Sequence, residues 1–272
     1  METTTRPTRR IVSADGTPIA VFESGGGPAL VLVHGATADH TTFRVVGPLL
    51  ARRFAVHAMD RRGRGASGDT SPYAIEREFE DVAAVADAVA SDHGLPVTVV
   101  GHSFGGRCGL GAALHTATIG AIVCYEGAPS PPAMSYHPDG IEERLHSMLE
   151  RGDPAAALAA FMTEVVGMSE IDLARFQADP VWPARVAAAH TILRELEAET
   201  APAASLQALG AVRQPVLQLL GGASLPVFHE ATWALDARLA DSRVVTIDGA
   251  RHAAHHTHAD TVAATVEAFV GT

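Results

Sequence analysis

The chain has 272 residues, 47% hydrophobic and 19% charged, enough for one large core with an insertion and too few for two ordinary enzyme domains. A formal net charge of −11 repels phosphate backbones and anionic lipid, so neither nucleic acid nor a membrane surface is an expected partner. The two cysteines, Cys108 and Cys124, lie in apolar or small-residue runs and read as core residues of a reducing compartment, not as a disulfide or a metal pair.

The start, METTTRPTRR, is polar and basic and leads into no apolar stretch of signal-peptide length. No later stretch is long enough to span a bilayer, so a cytoplasmic protein is expected. Strand signals come first at Pro18–Phe22, Ala29–Val33 and Phe54–Met59. After the third, GRGASG (Gly63–Gly68) matches the glycine spacing of a dinucleotide-binding turn. Its context does not fit: DTSPY follows where a helix should open, and no acidic residue ends a strand about 20 residues further on. Ile75, Phe79, Val82 and Val89 then recur at helical spacing, with Gly94 and Pro96 as stop signals.

The next segment, VTVVGHSFGGRCG, sets Ser103 between a run of strand-forming residues, Pro96–Val100, and a small-residue helix that starts near Phe104. Turning from strand to helix in so few residues strains the apex. The neighbours two positions away must be small because they nearly touch, and Gly101 and Gly105 occupy those places. The Ser103 side chain is thereby pushed out at the carboxyl end of the strand, as in a Gly-x-Ser-x-Gly nucleophile elbow.

Ile119–Tyr125 is a further strand. From Ala128 to about Leu209 no strand signal occurs. A Pro-rich opening, APSPPAM, leads into helical stretches at Ile141–Leu149, Pro154–Val166, Leu173–Phe176 and Trp182–Leu196. An insertion of helices at the sheet edge where the serine points reads as a cap over a pocket. The expected organisation is therefore a core of residues 1–127 and 210–272 with a helical cap of 128–209. Phe43, Phe161, Met162, Met168 and Trp182 are candidate pocket residues, each equally suited to a core. The last strands are Pro215–Leu220 and Val244–Ile247. Phe228, Leu235 and Leu239 mark a helix between them, and Val262, Val266 and Phe269 a terminal one.

A serine hydroxyl is a weak nucleophile at neutral pH and needs an imidazole held by a third group. Of 14 histidines, His252 follows the last strand in DGARH, at the sheet edge that carries Ser103. His255, His256 and His258 crowd the same segment. HAAHHTH could seat a metal by spacing alone, but no cysteine or second cluster completes a ligand set, so these three read as solvent-facing neighbours.

Ser103 in GHSFGG, His34 and Gly35 in LVLVHGATADHTTF, the loop MDRRGRGASG and His252 in DGARH together resemble the α/β-hydrolase fold superfamily, over about Ile11 to Val270 apart from the cap. The resemblance implies an α/β fold with a mostly parallel, doubly wound sheet and a helical cap insertion. It also implies a triad in the order nucleophile, acid, histidine, and an oxyanion hole from the backbone amides of Ala36 and Phe104. His34 is then a structural residue of its loop, and Asp60, Arg61 and Arg64 make structural polar contacts. The acid departs from the usual pattern. Many relatives carry an Asp just after the strand matched by Pro215–Leu220, but here LLGGASLPVF has no carboxylate from Gly221 to Phe228. The preceding strand ends in CYEGA, and some relatives, including certain haloalkane dehalogenases, place their acid there. Glu126 is the expected acid, and Asp248, close to His252 along the chain, reads as a turn residue.

The expected protein is a serine-dependent hydrolase of a small carboxylic ester or related acyl compound, working through an acyl-enzyme with no cofactor and no metal ion. The alternatives are a C–C bond hydrolase, lactonase, acyltransferase or lyase on the same triad, or a low-turnover small-molecule receptor. A serine at the apex argues against the epoxide hydrolase and haloalkane dehalogenase branches, which use a carboxylate. Substrate identity and oligomeric state have no signal in the sequence.

Overall fold

A computed structural model describes residues 6–131 and 134–271. Eight strands form one sheet: β1 (Arg9–Val12), β2 (Pro18–Gly25), β3 (Ala29–Val33), β4 (Ala55–Met59), β5 (Val97–His102), β6 (Ile119–Tyr125), β7 (Val216–Gly221) and β8 (Ser242–Ile247). Their order is β1-β2-β4-β3-β5-β6-β7-β8. From β4 through β8 every pairing is parallel, while β2 runs antiparallel to both β1 and β4. The seven strands expected from the sequence are all present, and β1 is an addition. Its four residues, RRIV, bury only Ile11 and form an edge, so they carry neither the length nor the alternation that marks a strand.

Apolar residues on the strands alternate between two cores, as a period of two requires. Val31 and Val33 face one layer, with α2 (Ile75–His93) and α3 (Phe104–Ala112). Leu30 and Leu32 face the other, with α1 (Val46–Leu50) and a carboxyl-terminal helix at Ala259–Val270. Ile75, Phe79, Val82 and Val89, the stripe seen in the sequence, are all buried. Burial on both faces explains why β3 reads as an unbroken apolar run and why β4 and β5 are interrupted only by His57, Thr98 and the terminal His102.

Between β6 and β7 the chain is helical: α4 (Ile141–Glu150), α5 (Pro154–Ala160), a widened π turn at Phe161–Val165, α6 (Glu170–Gln177), α7 (Trp182–Ala187), α8 (Ile192–Glu199) and α9 (Leu206–Leu209). α4, α5, the π turn and α8 share an apolar cluster of their own, including Ile141, Leu145, Leu158, Phe161 and Ile192. A buried ionic knot ties this segment to the sheet. Glu195 of α8 accepts from both Arg61 and Arg64, which also pair with Glu78 of α2. Next to them, Arg62 bonds Asp81 through two nitrogens at 2.7 and 2.8 Å. The loop after β4 opens no helix, and a methyl group on Gly65 would run into the Asp60 carboxylate and one on Gly63 into Arg194 and Asp69. Asp60 there accepts from the His40 and Ala66 amides.

Candidate active site

The turn from β5 into α3 puts Ser103 at φ 54°, ψ −128°, and its amide donates to Tyr125 O at 2.8 Å. The close approach read from the sequence holds. A methyl group on Gly101 would meet Gly105 O at 2.4 Å, and one on Gly105 would meet Val33 O at 2.3 Å. Among the described residues only Thr37, Ser103 and Glu126 combine a positive φ with a side chain, and all three lie at this end of the sheet. Strained backbone of this kind collects at functional sites.

His252 follows β8 and is mostly buried, with its ring stacked on Phe228 at 4.4 Å. Its Nδ1–H donates to Glu126 Oε2 at 2.6 Å. The second Glu126 oxygen accepts from the Gly221 amide at 2.7 Å and from Ser224 Oγ at 2.6 Å. A carboxylate so held fixes the imidazole as the Nδ1–H tautomer and leaves Nε2 as an acceptor. Ser103 and His252 line the same cavities, and Ser103 Oγ has no hydrogen-bond partner among the described residues. The amides of Ala36 and Phe104 also lack an acceptor there; Ala36 lines both cavities and Phe104 the smaller.

His252 is positioned by residues the sequence did not single out. The His102 ring donates from Nε2 to His252 O at 2.7 Å. Tyr125 OH donates to Arg251 O and accepts from the Ala254 amide. Both adjoin residues already selected, His102 beside Ser103 and Tyr125 beside Glu126, and that adjacency was the available signal. His34 takes the structural place expected of it, accepting from the Arg61 amide at 2.9 Å, and burial holds its pKa well below the ordinary histidine value. Asp248 is an exposed turn residue.

Two adjoining cavities share Ala36, Ser103, Phe161, Val166 and His252 in their walls, the larger about 250 Å³. Phe161, Met162 and Met168 line the larger one. Phe43 and Trp182 do not line either, and two expectations are corrected. Phe43 closes a helical turn that directs it onto the core with Val46 and Leu50, and Trp182 packs edge-on against Phe176 at 5.3 Å. A third correction concerns the histidines. His255 is buried and His256 partly so; both join His102 in the wall of the larger cavity, because the short helix Ala254–Thr257 turns them inward. Burial pushes His255 far down, and His256 down to about 4.

Among the described residues, Asp39, His40 and Asp60 are the group with metal-compatible spacing. Their atoms are engaged otherwise: Asp39 caps the following turn, and Asp60 bonds the His40 ring at 2.8 Å. No helix among the described residues is long and apolar enough to cross a membrane.

Comparison with known proteins agrees with this architecture. An alpha/beta hydrolase family model matches residues 30–265. A pimeloyl-[acyl-carrier protein] methyl ester esterase of Xanthomonas campestris is 30% identical over 90% of this chain and 96% of its own length. A probable oxidoreductase, EphD, of Mycobacterium tuberculosis is 37% identical, but the match takes in 39% of this chain and 18% of that protein. The crystal structure of an alpha/beta hydrolase from Sphaerobacter thermophilus superposes with a TM-score of 0.81 at 33% identity, covering 96% of this chain and all of the other. Sheet order, elbow and family match converge: this chain is a member of the alpha/beta hydrolase family.

Proposed function

We propose that the protein hydrolyses a small carboxylic ester or related acyl compound through an acyl-enzyme on Ser103. His252 Nε2 takes the serine proton as Oγ attacks the carbonyl carbon, then returns it to the leaving alcohol. Glu126 holds the imidazole and stabilises the imidazolium. The amides of Ala36 and Phe104 donate to the oxyanion. Water, deprotonated by the same imidazole, then releases the acid and restores the serine. The observation that carries this reading is the 2.6 Å bond from His252 to Glu126, beside a strained serine on the same cavity. A serine–histidine bond not yet formed is compatible with it, since such bonds tighten when substrate binds. The esterase relative supports an ester substrate, and two buried, free thiols suit a cytoplasmic setting.

The test is labelling with a fluorophosphonate, followed by peptide mapping. Label should attach at Ser103, be lost in Ser103→Ala, and disappear together with nearly all turnover, by several powers of ten. Wild-type labelling of the alanine variant would remove Ser103 from the mechanism. Turnover on short esters but not on lactones or diketones separates ester hydrolysis from the other reactions open to the same groups.

A further inference from the structure

The two cavities beside Ser103 differ in charge. Glu126, Glu195 and Glu199 line the smaller one together with Arg107, which pairs with Glu199 at 3.4 Å. The larger has no carboxylate in its wall; its ionisable residues are Arg44, Arg185, His102, His252, His255 and His256. Burial holds His102 and His255 far below the ordinary histidine value and His256 to about 4, so these three are neutral near pH 7. The Arg44 guanidinium is paired with Asp179 at 2.7 Å. Arg185 is the exception. It projects from α7, is 7% exposed, and its Nη2 donates to Thr42 Oγ1 at 3.1 Å. Its Nε has no partner, and no carboxylate among the described residues lies within ion-pairing distance. Asp39 and Asp179 act on Arg185 only from beyond ion-pairing distance, and a buried cation with no direct counter-ion is a costly arrangement, since buried charges are ordinarily paired.

We propose that Arg185 is a substrate-binding residue that holds a carboxylate of the substrate in the larger cavity, so that the acyl compounds hydrolysed at Ser103 carry a second, ionised carboxyl group. The planar guanidinium suits a carboxylate fork, and one unpaired positive charge matches a monoanion better than a phosphate. Phe161, Met162, Met168 and Phe176 would pack against the methylenes that join the carboxylate to the ester. The carboxylates of the smaller cavity are already partnered, Glu195 by Arg61 and Arg64, Glu199 by Arg107 and Glu126 by His252, and its one lining arginine is thereby engaged, which leaves Arg185 for the charged end of a substrate. This assignment rests on the ester-hydrolase reading, and its test includes a measurement independent of turnover.

Two experiments decide it. In the first, monomethyl glutarate and its neutral isostere methyl 5-methylhexanoate are compared by kcat/KM, with the six-carbon pair monomethyl adipate and methyl 6-methylheptanoate beside them. The charged esters should be preferred, and Arg185→Met should lower the charged-to-neutral ratio by about thirtyfold or more, mainly through KM, as expected when one partner of a buried charge pair is truncated. Arg185→Lys should keep part of that preference. In the second, calorimetry on the Ser103→Ala variant compares 5-oxohexanoate, a methyl ketone that cannot be hydrolysed, with neutral 6-methylheptan-2-one. The anion should bind more tightly only while Arg185 is present. Equal binding of the two ketones, or a ratio that Arg185→Met leaves unmoved, overturns the assignment. Discrimination in binding without turnover of any ester keeps Arg185 and sinks the hydrolase reading instead.

Discussion

Glu126 and His252, 126 residues apart in the chain, are joined by a 2.6 Å hydrogen bond from the ring Nδ1–H to Oε2. The bond exists because β6 and β7 are parallel neighbours. Glu126, one residue past β6, donates its own amide to Leu219 O and receives on Oε1 the amide of Gly221 at the end of β7. The end of β7, where many relatives carry an aspartate, thus supplies hydrogen-bond donors to a carboxylate rooted one strand away.

On the proposed mechanism, Glu126→Gln keeps the side-chain volume but loses the charge that stabilises the imidazolium. Turnover should fall at least about a hundredfold, with the fold intact by circular dichroism and less damage than Ser103→Ala causes. Because Ser224 Oγ already touches Oε1, an aspartate at Ser224 or Ala223 in the Glu126→Gln background should restore part of the rate. Near wild-type turnover of Glu126→Gln would remove it from the mechanism.

The histidines should separate by role. His252→Ala is expected to abolish turnover. His258→Ala should leave kcat/KM within about twofold, because substitutions away from packed or catalytic features are usually close to neutral. His255→Ala and His256→Ala, in the cavity wall, should act on KM more than on kcat. Steady-state kinetics on one ester across the four variants checks the order, and a chelator that removed activity with zinc restoring it would require a metal reading.

Glu195→Gln should be one of the costlier single changes. It leaves Arg61 and Arg64 sharing only Glu78 inside the protein, and breaking a buried pair typically costs about 3 kcal/mol or more. Urea unfolding should show a lowered midpoint with an unchanged slope. An unchanged midpoint would mean that the knot contributes nothing net.

Acid should weaken the fold as pH falls below 6.5, through its buried histidines. His102 and His255 are held far below 6.5 and His256 at about 4, burial being the main cause for each. The unfolded chain takes up protons at these positions near pH 6.5, while the folded chain does not until the pH is far lower. Their contribution is therefore complete above pH 6.5 and is lost as pH falls toward 4, with His256 alone accounting for about 3 kcal/mol. Unfolding midpoints measured from pH 7.5 to 4.5 should decline, and His256→Gln should flatten the decline. A profile that the substitution leaves unaltered counts against the buried, neutral state.

The elements legible in the sequence were those determined by neighbours along the chain. Val97–Val100 read as a buried strand because all four residues are β-branched and three are valine. The elbow at Ser103 was visible because the backbone contacts that demand glycine fall within two residues of the apex. His252 could be chosen from 14 because a short loop after a strand leaves little freedom in where it ends. Contacts between distant segments were decided only by the tertiary structure. Nothing local distinguishes a solvent-facing His255 from one turned into a cavity against His102, or a core Phe43 from a pocket Phe161. Arg185 looks like any helix-surface arginine until α7 folds over Thr42 and leaves it buried with no carboxylate among the described residues in ion-pairing distance. Burial of a polar side chain depends on what lies across from it, and that partner is set by strand order and by the docking of the helices between β6 and β7, not by the residues on either side.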